Sequence, residues 1–522
     1  MMHTRRKALK TLGAGSLALA APFAAAARET QVKKPPNIVL ILADDMGWSD
    51  LSCYGGEIAT PHLDRMAKGG LRFTQFHNTA KCFPSRACLL TGLYAQQCGM
   101  DRKPGVFQNS VTLGEVLRSA GYRTLMAGKH HGTENMYDRG FDRYFGLRDG
   151  CCNYFNPGLP REGEGKPAQK RNNRYWCIDD KTYSPYTPKE KDFYTTDYFT
   201  KYALQYLEEY QGEDKPFFLY LAYTAPHDPL MAWPEDIQKY SGTYQDGYEA
   251  IRQARYARQK QMGLIDDRFP LSDATHPDWD SLTEQERKEE ARKMAVYAAM
   301  IDRMDQNIGK VLKKIRDMGE EENTLVLFAS DNGCSAEVVR SGYNVPGEGE
   351  IGSMTRWTSL GRNWANVSNT PYRLYKNYSH EGGICTPLIA YWPGGIQNAG
   401  RVSTRIGHFI DIMPTVLDVA SANYPNQFRG ESVISYEGES LLPAFREKDE
   451  ARRSPIFWKW SKGRAVRNEE WKLVSWNDGW ELYDMRRDKT ETRNVADKNP
   501  EVVEKMEGMY RDWLKKCGVQ EK

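Results

Sequence analysis

The string KCFPSRACLLTG, residues 81–92, contains the residue types and spacing that most clearly indicate chemistry in this sequence. Pro84 suits the first turn of a helix, so Cys82 is predicted to lie just before a helix N-terminus. Backbone amides and the helix dipole favour an anion there and lower the pKa of a thiol. Arg86 follows about one helical turn later and can face the same site. The string predicts a nucleophilic cysteine beside an anion site or, equally well, a small buried cysteine in a helix that starts with proline.

A second group of polar residues follows the ends of predicted strands. Short apolar runs, of the type buried on both faces of a sheet, predict five strands at residues 37–43, 123–127, 216–223, 324–330 and 386–392. The polar residues that follow the first four are Asp44, Asp45, Lys129, His130, His131, His227, Asp331 and Asn332. An aspartate after a strand is more often a turn residue or a helix cap. Ligands, however, bind beyond the carboxyl ends of parallel strands, so the repetition at this position predicts a functional site.

The oxygen-bearing members of this group suit a hard metal cation. They are Asp44, Asp45, Asp331 and Asn332. Calcium accepts six to eight oxygen ligands in irregular geometry, whereas magnesium requires a tighter octahedron, and the residue types do not decide between the two. Zinc is disfavoured because the sequence has neither an HExxH motif nor a paired-cysteine spacing.

The alternation of short apolar runs with helical segments indicates an α/β fold. Such a pattern predicts a large, mainly parallel sheet sandwiched by helices. A long helix is predicted over residues 294–318, where apolar residues recur at steps of three and four and Gly319 follows. Two polar segments without sustained periodicity, near 150–191 and 234–290, are predicted to be surface insertions.

Composition shifts divide the chain into three parts. Residues 1–27, with Arg5 and Arg6 before an uncharged stretch, resemble a twin-arginine export signal. Residues 28–440 are predicted to form a catalytic domain, and residues 441–522 a C-terminal α+β subdomain with a smaller antiparallel sheet and a closing helix. We therefore expect export to the periplasm or secretion through the twin-arginine machinery, with no stable membrane span.

The net charge excludes one class of partner. The 72 basic and 69 acidic residues leave a formal charge of +3, which gives no global electrostatic attraction for nucleic acid. Partners must therefore be inferred from the site.

The residues from Cys82 to Arg86, followed by Leu89 to Gly92, resemble the signature of type I sulfatases, which are formylglycine-dependent, arylsulfatase-like enzymes of the alkaline-phosphatase-like superfamily. The resemblance covers nearly the whole chain after the signal, through motifs that include PNIVLILADDMGWSDLSCYGG, AGKHH, APHDPL, SDNG and HEGG. It implies a sulfuric ester hydrolase that acts on aryl sulfates or, in nature, on carbohydrate sulfates during glycan degradation.

The resemblance also implies a modification and a metal. Cys82 is expected to be oxidised to formylglycine (3-oxoalanine) by a formylglycine-generating or sulfatase-maturating enzyme. The modified Cys82 then completes the ligands of one calcium ion per subunit, with Asp44, Asp45, Asp331 and Asn332. The implied reaction passes through a formylglycine-sulfate covalent intermediate.

Further roles follow from the same resemblance. Arg86 is expected to stabilise the hydrated formylglycine, and His131 to assist it. Lys129, Lys376 and His227 are expected to bind the sulfate, with His227 alternatively protonating the departing oxygen.

Two histidines depart from the family pattern. His130 and His380 both stand where family members often have an aromatic residue, so the role of each is open.

Two other functions fit part of the pattern. One is a phosphate or phosphonate monoester hydrolase of the same superfamily, although a two-zinc phosphatase requires more histidine ligands and a serine or threonine nucleophile. The other is a catalytically dead glycan-binding homologue, suggested by aromatic residues of the insertions that could stack on a sugar. These are Tyr154, Trp176, Tyr186 and Trp233, for which ordinary packing is the favoured interpretation.

Overall fold

The fold is built around one mixed β-sheet, and the computed structural model describes residues 34–103, 105–448, 450–477 and 479–520. The strands of this sheet are β1 (Asn37–Asp44), β2 (Leu71–His77), β3 (Arg123–Gly128), β4 (Arg143–Leu147), β5 (Trp176–Ile178), β6 (Lys181–Tyr183), β7 (Phe217–Pro226), β8 (Thr324–Ser330), β9 (Cys385–Tyr391), β10 (Val402–Ser403) and β11 (Gly407–His408). Within the described residues their order is β10-β2-β9-β8-β1-β7-β3-β4-β5-β6, and β11 also pairs with β2.

The centre of the sheet is parallel, as the sequence predicts. Strands β8, β1, β7, β3 and β4 pair with one another in parallel, whereas β9 runs antiparallel to both β8 and β2. Every residue of β1, β7, β8 and β9 is buried. This burial explains why these strands carry continuous apolar runs. All five predicted strands are present.

Helices cover both faces of the sheet. They are α1 (Pro61–Lys68), α2 (Cys82–Thr91), α3 (Leu113–Ser119), α4 (Thr195–Tyr210), α5 (Pro234–Lys239), α6 (Gly247–Gln261), α7 (Glu284–Asp317), α8 (Arg362–Ser368), α9 (Glu381–Ile384), α10 (Ile412–Ala420), α11 (Leu442–Phe445) and α12 (Pro500–Lys516). Successive side chains of a strand point to opposite faces. Val39 and Ile41 of β1 therefore pack in the core with α4 and α7, and Ile38 and Leu40 pack in the core with α2 and α10.

The long helix α7 begins ten residues before its predicted start at Met294. Its N-terminus is a capping box, in which the backbone amide of Glu286 donates to Oγ1 of Thr283 (3.2 Å) and the amide of Thr283 donates to Oε2 of Glu286 (2.9 Å). The first turns are largely exposed, so apolar periodicity does not reveal them. The helix ends just before Gly319, whose φ is 75°.

The polar segment 234–290 contains more regular structure than predicted. It holds α5, α6 and the first turns of α7 instead of an irregular insertion. The sequence of α6 shows no apolar periodicity because the buried face of this helix is polar. Arg255 is fully buried and donates to Oδ1 of Asp50 (2.7 Å) and Oε2 of Glu57 (2.8 Å). The segment 150–191 is irregular apart from β5 and β6.

A second, antiparallel sheet lies near the C-terminus, as predicted. Its strands are β14 (Ile456–Trp460), β15 (Gly463–Arg467), β16 (Trp471–Ser475) and β17 (Glu481–Asp484), paired in that order, and the two-stranded hairpin of β12 (Gln427–Phe428) and β13 (Glu431–Ser432) precedes them. Helix α12 packs against β15 and β16. The domain boundary at residue 440 stays a prediction.

A buried ionic network joins this C-terminal sheet to the main sheet. Glu381 is the first residue of α9. Its Oε1 accepts hydrogen bonds from Nη1 of Arg467 (3.2 Å) and Nζ of Lys472 (2.8 Å), and its Oε2 lies 3.0 Å from Nε2 of His77 on β2. All four side chains are at most 2 % exposed. Because an unpaired buried charge is costly, these contacts fix the small sheet to the large one.

Two expectations concern the N-terminus and membranes. The predicted signal at residues 1–27 lies outside the described residues. Among the residues that are described, no helix has both the length and the apolar character of a membrane span.

The ion pairs of Arg255 predict a large effect on stability. Replacing Arg255 by methionine leaves Asp50 and Glu57 without their buried partner, so the free energy of unfolding should fall by about 3–5 kcal/mol. Lys260→Met also removes a positive charge from this helix, but at an exposed position where the ammonium contacts only the ring of Tyr256 among the described residues. It should change the free energy of unfolding by at most about 1 kcal/mol. Urea unfolding of both variants measures the difference; equal stability of the two would contradict a stabilising role for the buried pairs.

Candidate active site

The predicted site residues meet at the carboxyl ends of the central parallel strands. They are Asp44, Asp45, Cys82, Arg86, Lys129, His131, His227, Asp331, Asn332 and Lys376. Direct contacts join nine of them within the described residues. His131 lines the same cavity as Cys82, His227 and Lys376. The structure therefore brings together all ten residues.

An acidic cluster forms where β1 and β8 end side by side. The side-chain amide of Asn332 donates through Nδ2 to Oδ1 of Asp45 (2.6 Å), and the backbone amide of Asp45 donates to Oδ1 of Asp331 (3.3 Å). Asp45 has a φ of 64°, an uncommon conformation for a residue other than glycine, and it turns the chain directly after the strand.

Two oxygens of this cluster indicate a cation site. Oδ1 of Asp44 and Oδ1 of Asn332 are buried and have no hydrogen-bond partner among the described residues, although buried polar atoms are normally satisfied. In addition, Asp44, Asp45, Cys82 and His227 each offer one ligand atom, and these atoms lie within 4.8 Å of one another. The donor set is rich in carboxylate oxygen and fits a hard divalent cation.

Three buried cations balance the three aspartates. Nε of Arg86 donates to Oδ2 of Asp331 (2.8 Å), Nζ of Lys376 donates to Oδ2 of Asp45 (2.8 Å), and the ammonium of Lys129 contacts Asp44. Burial alone lowers the pKa of a lysine. Asp44 nevertheless keeps the pKa of Lys129 above its ordinary value, and Asp45 does the same for Lys376. Both lysines therefore stay charged.

The Cys82 thiol differs from its prediction. Cys82 is the first residue of α2 and is 1 % exposed, with Sγ 4.0 Å from Oδ1 of Asp45. Burial raises its pKa to about 12, against the opposing effect of Lys129 and Lys376. The predicted lowering of this pKa is wrong, because desolvation and the carboxylates of Asp331 and Asp44 outweigh the effect of the two lysines. At neutral pH the unmodified residue is a thiol, which is a poor nucleophile.

Two histidines face the cavity as neutral rings. His227 places Nδ1 2.6 Å from the carbonyl oxygen of Asp228, so this nitrogen carries the proton and Nε2 faces Nζ of Lys376 at 3.4 Å. Burial lowers the pKa of His227 to about 3. Nε2 of His131 accepts a hydrogen bond from Nζ of Lys103 (2.7 Å), and burial holds the pKa of His131 well below its usual value.

The structure separates His130 and His380 from these two. His130 is buried against the ring of Phe107, with 5.8 Å between centroids, and neither ring nitrogen has a hydrogen-bond partner among the described residues. It packs as an aromatic residue would. Nε2 of His380 lies 3.3 Å from Oε2 of Glu481 in the C-terminal sheet, and His380 is not among the described residues that line the cavity.

A cavity of 560 Å³ opens above Cys82, a size typical of small-molecule sites. The four aromatic residues considered for stacking pack in or against the core, as the favoured interpretation of the sequence expects. Tyr154 and Trp176 are at most 1 % exposed, and the hydroxyl of Tyr154 donates to the carbonyl oxygens of Thr224 and His227. The remaining two, Tyr186 and Trp233, pack against the hydrophobic core.

The sequence profile of the Sulfatase family matches residues 36–422, and that of the N-sulphoglucosamine sulphohydrolase C-terminal region matches residues 372–516. The chain belongs to the sulfatase family. It is therefore a type I sulfatase of the alkaline-phosphatase-like superfamily and a sulfuric ester hydrolase.

Relatives of known sequence and structure agree with this family. The arylsulfatase of Klebsiella aerogenes is 33 % identical over 81 % of this chain and 94 % of its own. The N-acetylgalactosamine-6-sulfatase of Canis lupus familiaris is 29 % identical over 89 % of this chain and 76 % of its own. The crystal structure of Ps i-CgsB in complex with k-i-k-neocarrahexaose has the same fold, with a TM-score of 0.65, 24 % identity, and coverage of 92 % of this chain and 93 % of that one.

The sulfatase site contains residues that sequence reasoning missed. Glu337, in the irregular segment after β8, places Oε1 2.5 Å from Nζ of Lys81 and Oε2 3.0 Å from Nζ of Lys376. The side chain is 41 % exposed, and Lys376 and Lys81 hold the pKa of this carboxyl far below its usual range. Lys103, the partner of His131, comes from an equally irregular segment. Glu337 and Lys103 both lie outside periodic elements and motifs. The signal that could have indicated Glu337 is its position four residues after the SDNG string at residues 330–333.

The contact between Glu337 and Lys376 predicts a kinetic effect. Glu337→Gln removes the charge that, together with Asp45, holds the Lys376 ammonium in place. We expect kcat/KM for 4-nitrophenyl sulfate to fall about 10-fold, the lower range for residues that orient the groups around a metal. Glu348→Gln, at an exposed position of the same segment, is the matched control. Activity of the Glu337 variant within a factor of two of the control would show that the carboxylate is dispensable.

Proposed function

We propose that this sulfatase is exported and hydrolyses sulfate monoesters, in nature those of carbohydrates, with a formylglycine formed from Cys82 and one bound calcium ion. The observation that carries the proposal is the position of Cys82. It begins α2 at the bottom of the cavity, beside three buried carboxylates and three buried cations.

The state of Cys82 favours a modified residue. A thiol with a pKa of about 12 supplies almost no thiolate at neutral pH, and it has no second hydroxyl through which to release sulfate. A hydrated formylglycine supplies a nucleophilic hydroxyl and a second hydroxyl on the same carbon. The neighbouring Arg86 is held by Asp331 and by the carbonyl oxygen of Lys129 (2.7 Å), so its guanidinium is fixed beside the modified position.

Calcium is the metal that we propose for the acidic cluster. Asp44, Asp45, Asp331, Asn332 and the modified Cys82 would hold it, and the two unpartnered oxygens of Asp44 and Asn332 support this assignment. A divalent cation there supplies positive charge that polarises a sulfate oxygen. Calcium accepts six to eight oxygen ligands, whereas magnesium requires a strict octahedron and keeps several waters, so a site built from several protein ligands favours calcium.

The remaining charged residues bind the ester and move its proton. Lys129 and Lys376 stay charged and converge on Cys82, so they stabilise negative charge on the sulfate oxygens. His227 presents Nε2 at 3.4 Å from Nζ of Lys376. Because Nε2 carries no proton, His227 can protonate the departing alcohol oxygen only with a proton relayed from Nζ of Lys376, and the solvent then returns a proton to Lys376.

Carbohydrate sulfates are the substrate class that we propose. The cavity is large enough for a sugar ring, and both charged and aromatic side chains line it. The named activity of the N-acetylgalactosamine-6-sulfatase relative and the neocarrahexaose bound to Ps i-CgsB both support a carbohydrate.

The burial of Cys82 bears on maturation and export. At 1 % exposure its side chain lies too deep in the folded protein to enter the active site of another enzyme, so the maturating enzyme must act on the unfolded chain. Twin-arginine machinery transports folded proteins. We therefore propose that the modification occurs in the cytoplasm, before export to the periplasm or beyond.

Hydrolysis of matched esters tests the reaction. The protein co-expressed with a maturating enzyme should release the alcohol from 4-nitrophenyl sulfate faster than from 4-nitrophenyl phosphate, and Cys82→Ser should abolish the sulfatase activity. Mass spectrometry of the tryptic peptide of residues 82–86 should show the aldehyde. Equal or faster phosphate release supports the phosphatase alternative, and a fully unmodified thiol in native protein supports the dead homologue.

Thermal unfolding tests the metal without using activity. Adding calcium to chelator-treated protein should stabilise it by about 2.7 kcal/mol at a hundredfold excess over Kd, and magnesium should stabilise it less. Asn332→Ala should lose most of this stabilisation, because one oxygen ligand is removed. Asp280→Asn, whose side chain is 88 % exposed, should keep it. Identical stabilisation of wild type and Asn332→Ala would place the ion elsewhere.

A further inference from the structure

The lining of the cavity carries more positive charge than the cleaved sulfate requires. The described residues that line it include seven cations and three acidic residues, a net charge of +4: Lys81, Lys103, Arg148, Lys170, Arg171, Arg174 and Lys376, against Asp149, Asp228 and Glu337. Four of the cations come from two short segments, residues 148–149 and 170–174, which the contact between Arg174 and Asp149 joins. We call Arg148, Asp149, Lys170, Arg171 and Arg174 the basic wall.

The cations at the bottom of the cavity are differently placed. Lys81 and Lys376 also line it, but both are paired with Glu337 at 2.5 and 3.0 Å. The basic wall has no comparable set of carboxylates among the described lining residues. Its field therefore extends into the cavity, where it attracts anions.

Arg174 is the most buried member of the basic wall and is poorly satisfied. It is 7 % exposed, yet its contacts are Nη2 to Sγ of Cys151 (3.3 Å) and a loose ion pair of Nη1 with Oδ1 of Asp149 (3.7 Å). Its Nε has no hydrogen-bond partner among the described residues. A guanidinium has five N–H donors, and leaving them unmade in a buried position is costly. Arg174 therefore has N–H donors available for an anion bound in the cavity.

Arg148 extends the same surface toward solvent. Its Nη2 donates to the carbonyl oxygen of Thr133, its Nε is likewise unpartnered among the described residues, and its guanidinium lies 5.2 Å from the ring centroid of Tyr175. Tyr175 is 45 % exposed and lines the cavity. Lys170 and Arg171 are exposed at the rim. A flat ring beside a guanidinium suits a sugar that carries an acidic group.

We propose that the basic wall is a subsite for a second anionic group of the substrate, a carboxylate or another sulfate, bound chiefly by Arg174. This inference rests on the proposed sulfatase function and names its substrate more closely, as a carbohydrate with at least two anionic groups. The sulfate to be cleaved lies at Cys82 among Lys129, Lys376 and Arg86. The second group lies against Arg174 and receives hydrogen bonds from it.

The consequence is a preference that depends on Arg174. Hydrogen bonds to charged groups are among the stronger ones in proteins, so a sugar with the second anion should bind about 10- to 100-fold more tightly than its singly sulfated counterpart. Removing the guanidinium should cancel this preference and leave the affinity for a lone sulfate unchanged.

Competition against 4-nitrophenyl sulfate hydrolysis measures the preference. The competitors are inorganic sulfate, N-acetylglucosamine 6-sulfate, glucosamine 2-N,6-O-disulfate, and the 6-sulfated sugar joined to glucuronic acid. Wild type should bind the disulfated sugar, the glucuronic acid-linked sugar or both at least 10-fold more tightly than the monosulfated sugar. Tighter binding of the disulfated sugar identifies the second anion as a sulfate, and tighter binding of the glucuronic acid-linked sugar identifies it as a carboxylate. Arg174→Gln should reduce this ratio to below three with an unchanged Ki for inorganic sulfate, and Arg174→Lys should restore part of it.

Two controls make the experiment decisive. Lys189→Gln removes a positive charge from an exposed position of the same segment, outside the described lining of the cavity, and should keep the wild-type ratio. If Arg174→Gln is unstable on heating, Arg148→Gln tests the wall at a more exposed position. The proposal is overturned if wild type shows no preference, or if the ratio survives in both arginine variants. Absence of aryl sulfate hydrolysis would instead count against the proposed function, and calorimetric titration of the same sugars would still report the ratio.

Discussion

The structure depends on placing six charged side chains together in its interior. Removing each charge from water costs several kcal/mol, which only close opposite charges and hydrogen bonds recover. Here Asp44, Asp45 and Asp331 pair with Lys129, Lys376 and Arg86, respectively. Such pairing requires that chain segments far apart in sequence end within a few ångströms of one another. Parallel strands meet this requirement, because their carboxyl ends lie along a single edge of the sheet.

The same charges set the chemical character of the site. Full burial stabilises neutral forms, so Cys82 stays a thiol and His227 a neutral ring, while the lysines stay charged because each contacts an aspartate. A buried thiol beside carboxylates is a weak nucleophile, in agreement with the proposed oxidation of Cys82 to formylglycine. Under that proposal the fold contributes fixed charge and position, and the maturation step contributes the reactive group.

The central sheet and most of the site residues could be predicted from the sequence, because an apolar pattern or a motif marks them. The five buried strands read as continuous apolar runs, and the polar residues after four of them form the site. Prediction failed where the buried surface is polar. Helix α6 buries Arg255 and Gln259, β2 buries Thr74 and Gln75, and neither shows an apolar period. The thiol pKa of Cys82 also could not be predicted, because desolvation depends on the whole surrounding fold.

The ionic network around Glu381 makes the small C-terminal sheet part of the catalytic architecture. Glu381 follows Lys376 by five residues, and it is held by Arg467 and Lys472 from β15 and β16. The loop that carries Lys376 is thus anchored from the far end of the chain. The two sheets cannot be exchanged between sulfatases as independent modules unless the matching charges travel with them. A chimera of two sulfatases joined at the predicted boundary near residue 440 would take Glu381 from one parent and Arg467 and Lys472 from the other. The ion pairs would then form only if both parents carry these charges.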